Sequence, residues 1–349
     1  MAQNLGIGVL AGLVSALLFG MLLQATPLAI LLYLLAPLPI LIVGLGWSHR
    51  AGLAAVAAGS LALAIGVTPF LGIGFAAYLA VPAWWIAYLA LLGRPNADGT
   101  LEWYPVGRLL AWVAGTAALA FVAIAVIAAP NYETFRTQLG TMAKKVVQAQ
   151  MKGAGSARVS ATIAGQPESQ PSGETPPPAQ EPPPVPNEDK APTVQDEVAD
   201  ALATVAPGLA AQGLTILLVF YLWAAARIVK ISGRLMRPWP DIPSTQMPRN
   251  VLVMLVGAIA LALVPGYPGV LGVALIGALS AAFSLQGLAA FHDRSRGRQA
   301  RGALLFGLYL VLILTQGLAF VALTLFGIAD TALARRSAPA EPPGGPRSL

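Results

Sequence analysis

The chain has 349 residues, of which 56% are hydrophobic and only 10% charged, against about 25% charged in an ordinary soluble domain. It has no cysteine and only two histidines, His49 and His292, far apart in sequence, which excludes disulfides, iron–sulfur clusters, thiol nucleophiles and Cys-ligated zinc and argues against a His-built metal site. The net charge of +6 gathers at the ends of apolar runs, where topology signals sit, and does not suggest nucleic acid.

Residues 5–47 contain no Lys, Arg, Asp, Glu or His. Buried helices of soluble proteins seldom carry more than about 14 consecutive apolar residues, whereas a bilayer core takes about 20. The pattern predicts an all-α, polytopic transmembrane helical bundle of about nine spans. The first five cover residues 5–23, 27–47, 51–68, 72–93 and 108–129, and the next four cover 209–230, 250–265, 269–291 and 303–328. Met1-Ala2-Gln3-Asn4 offers no basic leader and apolar character resumes at Pro27, so residues 5–23 read as a first span rather than a cleaved signal. Gly8 and Gly12 form a GxxxG there, a mark of close helix packing.

Turn chemistry separates the spans at Gln24-Ala25-Thr26-Pro27, Thr68-Pro69 and Gly266-Tyr267-Pro268-Gly269. Trp84, Trp85, Tyr88, Trp103, Tyr104 and Trp112 read as an interfacial aromatic belt, with an aromatic ligand pocket as the rarer alternative. Residues 131–152 carry Tyr132, Phe135, Leu139, Met142 and Val146 at helical spacing, with Lys144, Lys145 and Lys152 among them. This is an amphipathic helix, lying on the membrane surface or standing as a solvated stalk. Residues 153–192 are rich in Pro, Ser, Gln, Gly and Glu and include Pro176-Pro177-Pro178 and Pro182-Pro183-Pro184; such a stretch cannot bury enough apolar surface to fold and is expected to be disordered. A further helix is expected over 194–205, before Pro207 introduces the sixth span. The organisation that follows is a five-span half (1–130), an extramembrane helix with a Pro-rich linker (131–206), a four-span half (207–330) and a disordered tail (331–349).

Two basic loops flank the seventh and eighth spans, one with Arg227, Lys230, Arg234, Arg237 and Arg249, the other with Arg294, Arg296, Arg298 and Arg301. The positive-inside rule places both in the cytoplasm. Counting back puts His49-Arg50, the loop 94–108 and the N-terminus inside, with 130–206 and the tail after residue 330 outside.

The polar groups of a membrane enzyme or pump are scarce. There is no GxxxxGK[ST] phosphate loop, and no pair of carboxylates or Ser–His–Asp set falls within the spans, so the chain reads as non-enzymatic and without cofactor. Loop acids such as Glu102, Asp241 and Asp293 are the only candidates for catalysis, and nothing marks them above solvated charges. Gln286 and Gln316 place an amide within the eighth and ninth spans. An amide in lipid seeks a partner across helices, so these are bundle contacts, to a polar ligand or, more simply, as interhelical glue. After the sixth span, Arg227, Lys230 and Arg234 lie on one helical face and lead to Arg237-Pro238-Trp239-Pro240. Basic residues beside Trp239 suit anionic headgroups or a cytoplasmic partner, or simply anchor the loop.

Along this loop, from Arg227 through Pro248, then at Gln286-Gly287-Leu288-Ala289, at Gly327-Ile328-Ala329-Asp330 and in Ala36-Pro37-Leu38-Pro39-Ile40 before Ser48-His49-Arg50, the chain resembles the YybS-like family of uncharacterised bacterial inner-membrane proteins. That resemblance implies a multi-pass protein of the bacterial inner membrane whose N-terminal half is similar to the solute-binding S components of energy-coupling-factor transporters. It would then rely on separate energising subunits. No ligand-binding motif of that class is visible in the sequence. The rival expectation is a membrane scaffold or assembly factor that meets envelope proteins through residues 131–206 and the basic loops.

Overall fold

A computed structural model describes residues 2–24, 26–163, 193–315 and 317–333. The Pro-rich residues 164–192, the tail 334–349 and Gln316 lie outside the described residues. The chain forms two compact units, Met1–Pro130 with Pro207–Leu349, and Asn131–Ala206. The five-span and four-span parts therefore share one unit.

In that first unit, helices α1 (Ala2–Gly20), α2 (Pro27–Leu35), α3 (Leu38–Gly46), α4 (His49–Gly66), α5 (Pro69–Phe75), α6 (Val81–Ala90) and α7 (Val106–Ala128) make up the N-terminal part. Ser and Thr caps start three of them. Thr26, Ser48 and Thr68 accept hydrogen bonds from Ala29, Ala51 and Leu71 N–H groups at 3.1–3.2 Å, which satisfies donors that a helix start leaves orphaned. The second span breaks into α2 and α3 at Ala36-Pro37, where the buried Ser15 hydroxyl donates to the Ala36 carbonyl. The fourth span joins α5 to α6 through a π turn, Ala76–Ala80, directly before Pro82. Proline removes one ladder bond, and a widened turn absorbs the defect.

The remaining helices are α8 (Tyr132–Ile163), α9 (Val194–Ile231), α10 (Asn250–Ala262), α11 (Tyr267–Arg294), α12 (Arg301–Thr315) and α13 (Gly317–Leu333). Helix α9 ends on Gly233, whose φ of 70° is the left-handed conformation that glycine adopts without cost. Among the described residues, seven helical segments are long and apolar enough to cross a membrane, and α10, α12 and α13 are shorter apolar helices. The all-α polytopic architecture is thus as expected; the protein is a multi-pass membrane protein.

Three details depart from expectation. Helix α9 runs unbroken through Pro207, where two helices were expected on either side of it; a transmembrane helix tolerates the one lost bond. Helix α8 continues to Ile163, into the stretch expected to be disordered. The single span expected over 303–328 is two helices, α12 and α13. Helix α13 lies along α11 and points the same way: Thr324 donates to the Ser280 carbonyl at 3.1 Å, and Gln286 and Arg294 both reach Asp330. Since α11 and α12 are joined by only six residues, the chain goes out along α12 and returns along α13. Leu333 therefore lies at the end of the bundle that holds residues 295–300; the tail beyond it, expected on the opposite side, lies outside the described residues.

Two apolar clusters fill this unit. One contains Ile40, Leu41, Phe75, Ile86, Val113 and Leu218; the other contains Leu110, Ala114, Ala278, Leu279 and Phe283. Helix α7 contributes to both, Val113 to the first and Ala114 to the second. Between helices the contacts are close: a Cβ on Gly8 or Gly12 would strike the carbonyls of Ala51 or Ala55 on α4, and one on Gly327 would strike the Phe283 carbonyl on α11.

Contacts between loops and helices also sort the loops by end. Trp84 Nε1 donates to the His49 carbonyl, Arg237 reaches Ala90 and Tyr104, and Arg296 pairs with Asp241. All four basic loops therefore meet at one end, where α1 also begins beside Ala51. At the other end the Tyr267 hydroxyl donates to the Ala129 carbonyl at 3.2 Å.

In the second unit, Asn131 caps α8 through the Thr134 N–H, and Thr193 and Asp196 bond reciprocally at the start of α9. Phe135, Ala143 and Ala199 are buried, whereas Met142 and Val146, expected on the apolar face, are exposed. Lys144 Nζ stands 2.9 Å from Asp196 Oδ1. The Lys144 and Thr193 hydrogen bonds hold the Asp196 carboxyl down from 3.8 to about 2. A depressed carboxylate stabilises the fold above its unfolded value, and that contribution disappears as pH falls from about 4 toward about 2. The cysteine-free chain accepts a unique spin-label pair at Gln138→Cys and Ala201→Cys. Their distance distribution is expected to be narrow at pH 6 and broad at pH 2.5, and broad at both in Asp196→Asn. A distribution indifferent to pH refutes the pairing.

Candidate functional site

The polar chemistry of the first unit concentrates at the basic end. Gln286 is fully buried on α11. Its Oε1 accepts from the Met247 N–H at 3.0 Å, and its Nε2 donates to Asp330 Oδ2 at 3.1 Å and to Thr331 Oγ1 at 2.8 Å. The Thr331 hydroxyl passes its own proton to the Gly327 carbonyl at 3.0 Å. Asp330, with none of its side chain exposed, receives Arg294 Nη2 at 2.9 Å, and the Arg294 guanidinium lies 4.8 Å from the centre of the Phe326 ring. One amide thus joins three pieces of chain: the segment before α10, α11 and α13. Both of its N–H groups are used within the fold, as buried amides require.

Beside this network, Arg296 bonds the Asp241 carboxylate and lies 3.4 Å from Asp293. The Arg296 guanidinium holds the Asp241 carboxyl below its ordinary value. His292 Nδ1 faces the Leu288 carbonyl at 2.9 Å and Nε2 faces the Tyr309 hydroxyl at 3.4 Å. A carbonyl only accepts, so Nδ1 carries a proton in this contact.

The loop after α9 forms a second group. Arg227 and Lys230 lie 5.4 and 4.9 Å from the centre of the Trp239 ring, and Arg234 lies 4.5 Å from that of Trp47. All three cations remain exposed while their stems rest on aromatic faces, a cation–π arrangement. Arg237 behaves differently. It turns inward, donating from Nη1 to the Ala90 carbonyl at 2.8 Å and from Nη2 to the Tyr104 carbonyl at 2.9 Å; burial lowers its pKa from the ordinary guanidinium value. Of the residues singled out in sequence, Arg227, Lys230, Arg234 and Trp239 come together as one exposed basic face, Arg237 clamps the loop to the end of α6, and Gln286 is bonded within the fold.

The stretch 94–108 was expected to be a loop between the fourth and fifth spans, and its first part is ordered. Residues 93–103 form a two-stranded antiparallel hairpin, β1 (Gly93–Pro95) against β2 (Leu101–Trp103), with Arg94 opposite Glu102. The turn is fixed by Asp98, whose Oδ1 accepts from the Thr100 N–H and hydroxyl, and by Gly99 at φ 80°. Asp-Gly between short extended runs is the signal that would have found it. Nearby, the rings of Trp84, Trp85, Tyr88 and Trp112 meet with centroids 5.8–6.2 Å apart, Trp84 on Tyr88 stacked and Trp85 on Trp112 edge to face, and Trp112 Nε1 donates to the Tyr104 hydroxyl at 3.0 Å. Residues expected as an interfacial belt thus include a cluster of touching rings.

Residues 186–331 match the model of a family described as Predicted membrane protein (DUF2232). No curated protein and no solved structure matches the chain.

Proposed function

We propose that this protein is a non-enzymatic docking or assembly factor of a bacterial inner membrane, with its N-terminus and its basic end in the cytoplasm. The observation that supports this reading is the convergence of the basic loops at one end of the bundle. Arg227, Lys230 and Arg234 are held on Trp239 and Trp47 with their charges outward, while the buried Gln286 amide is spent on internal bonds. A surface built this way suits an acidic partner protein, with electrostatics setting specificity and encounter rate. The positive-inside rule supports the orientation.

A photo-crosslinking residue placed at Trp239 tests the reading in native membranes. Protein adducts are expected at that position, and they should disappear when Arg227, Lys230 and Arg234 are all changed to Gln. Adducts to lipid alone, or protein adducts indifferent to the triple change, would overturn it.

A second reading, a solute-binding component served by separate energising subunits, draws support from two buried polar atoms without hydrogen-bond partners, Ser60 Oγ and Gln246 Nε2. Each could receive a polar group of a bound solute. A stoichiometric small molecule retained by the purified protein and lost in Ser60→Ala or Gln246→Leu would favour it over docking.

A further inference from the structure

We propose that the β1–β2 hairpin and the start of α7 form a binding cleft for a zwitterionic phosphate–amine headgroup, that of phosphatidylethanolamine. The cleft has a volume of about 270 Å³ and is lined by Arg94, Glu102, Trp103, Tyr104 and Arg108, among others. Ligand pockets for drug-sized molecules run from about 300 to 1,000 Å³, so this one suits a headgroup and not a whole lipid.

Its charges have the composition of that headgroup in reverse. Arg94 and Arg108 offer guanidinium forks, which match phosphate oxygens in pairs. Glu102 offers a carboxylate to an ammonium. Arg94 and Glu102 stand opposite each other in the strand register, yet among the described residues none of these three charges makes an ion pair. A phosphate between the two arginines and an amine on Glu102 would satisfy all of them together.

The source of the headgroup follows from what lies below it. Arg108 and Trp112 are one helical turn apart on the same face of α7. That face continues through Leu119 and Val126, and Trp112, Leu119 and Val126 are all exposed. An apolar stripe starting directly beneath a charged cleft gives acyl chains a continuous path. Trp103 and Tyr104, which also line the cleft, are residue types that meet headgroups at a membrane interface. Phosphatidylglycerol has no cation for Glu102 and offers it only uncharged glycerol hydroxyls. Phosphatidylcholine has a cation without an N–H to donate.

The inference requires only that α7 spans the bilayer, and it stands apart from the docking reading: crosslinks at Trp239 can be absent while lipid retention persists. Native mass spectrometry of the full chain, released from detergent with equal amounts of phosphatidylethanolamine, phosphatidylglycerol and phosphatidylcholine of the same acyl composition, decides it. Phosphatidylethanolamine is expected to survive the highest activation. Arg94→Gln with Arg108→Gln should weaken its retention about tenfold, the loss of charge-assisted hydrogen bonds. Glu102→Gln should abolish the preference over phosphatidylcholine while keeping phosphate binding. Soluble glycerophosphoethanolamine should compete only weakly; competition equal to the lipid's would assign the cleft to a free solute and overturn the lipid assignment. Equal retention of the three lipids by the parent chain, or an unchanged preference in variants with the parental melting temperature, would also overturn it. Should a variant fail to fold, the headgroup comparison in the parent chain still decides.

Discussion

The Arg294→Met variant is expected to be the least stable single substitution at the basic end, by about 3 kcal/mol. Asp330 has no exposed side-chain surface, and Arg294 is its ion-pair partner at 2.9 Å. Removing one member of a buried pair leaves a charge without compensation, which costs about 3–5 kcal/mol. The lower figure applies because Arg294 is itself 37% exposed and because the Gln286 amide continues to donate to the carboxylate. Lost packing of the Arg294 side chain over Phe326 adds to the effect. Replacing both partners, Arg294→Met with Asp330→Leu, removes the buried carboxylate together with its cation and should recover most of the loss. Tryptophan-fluorescence melting of the detergent-solubilised chain measures the first part. Trypsin access at Arg298 and Arg301 measures whether α12 and α13 loosen from α11. If the single and double variants melt together, the pair is not what joins α13 to the bundle.

Gly12→Leu on α1 should be at least as damaging, through sterics alone. An added Cβ at this position meets the Ala55 carbonyl oxygen, with the Ala55 Cα at 2.9 Å. Backbone cannot swing aside as a side chain can, so α1 and α4 must separate. Forcing extra atoms into a packed interior costs typically about 1–3 kcal/mol, and here the separation also opens the contact between Gly59 and the Gly12 carbonyl. Within a membrane, close packing of small residues is a main source of helix association, so the loss is not offset elsewhere. Gly6→Leu on the same helix is the control, because a Cβ there meets nothing within 4 Å. The expected outcome is a lowered melting temperature and poor recovery of folded protein for Gly12→Leu, with Gly6→Leu close to the parent. Equal behaviour of the two would show that α1 and α4 do not pack through this face.

How far these features could be read from sequence differed by kind. The membrane class followed from uninterrupted apolar length, because hydrocarbon admits few alternatives to helices. GxxxG at Gly8 and Gly12 pointed correctly to close packing, and the basic loops do meet at one end. Gln286 was recognisable as a bundle contact because an amide in a span needs partners. That one of its partners is Asp330, 44 residues away, was not legible, since pairing between helices depends on their register and not on local pattern. The return of α13 was missed for a related reason: 303–328 is apolar throughout, and hydropathy is blind to chain direction. The Arg94–Glu102 cleft was hidden in a short polar stretch that looks like any interhelical loop until Asp98-Gly99 is read as a turn.

The out-and-back path of α12 and α13 also bears on biogenesis. A single final span would have to be carried across the bilayer on its own, with its trailing end left on the face opposite the 295–300 loop. A hairpin whose two ends share one side asks for no such passage. Its two apolar arms can partition into lipid together, as a unit, with the Arg294–Asp330 pair at the end where the hairpin both leaves and rejoins the bundle.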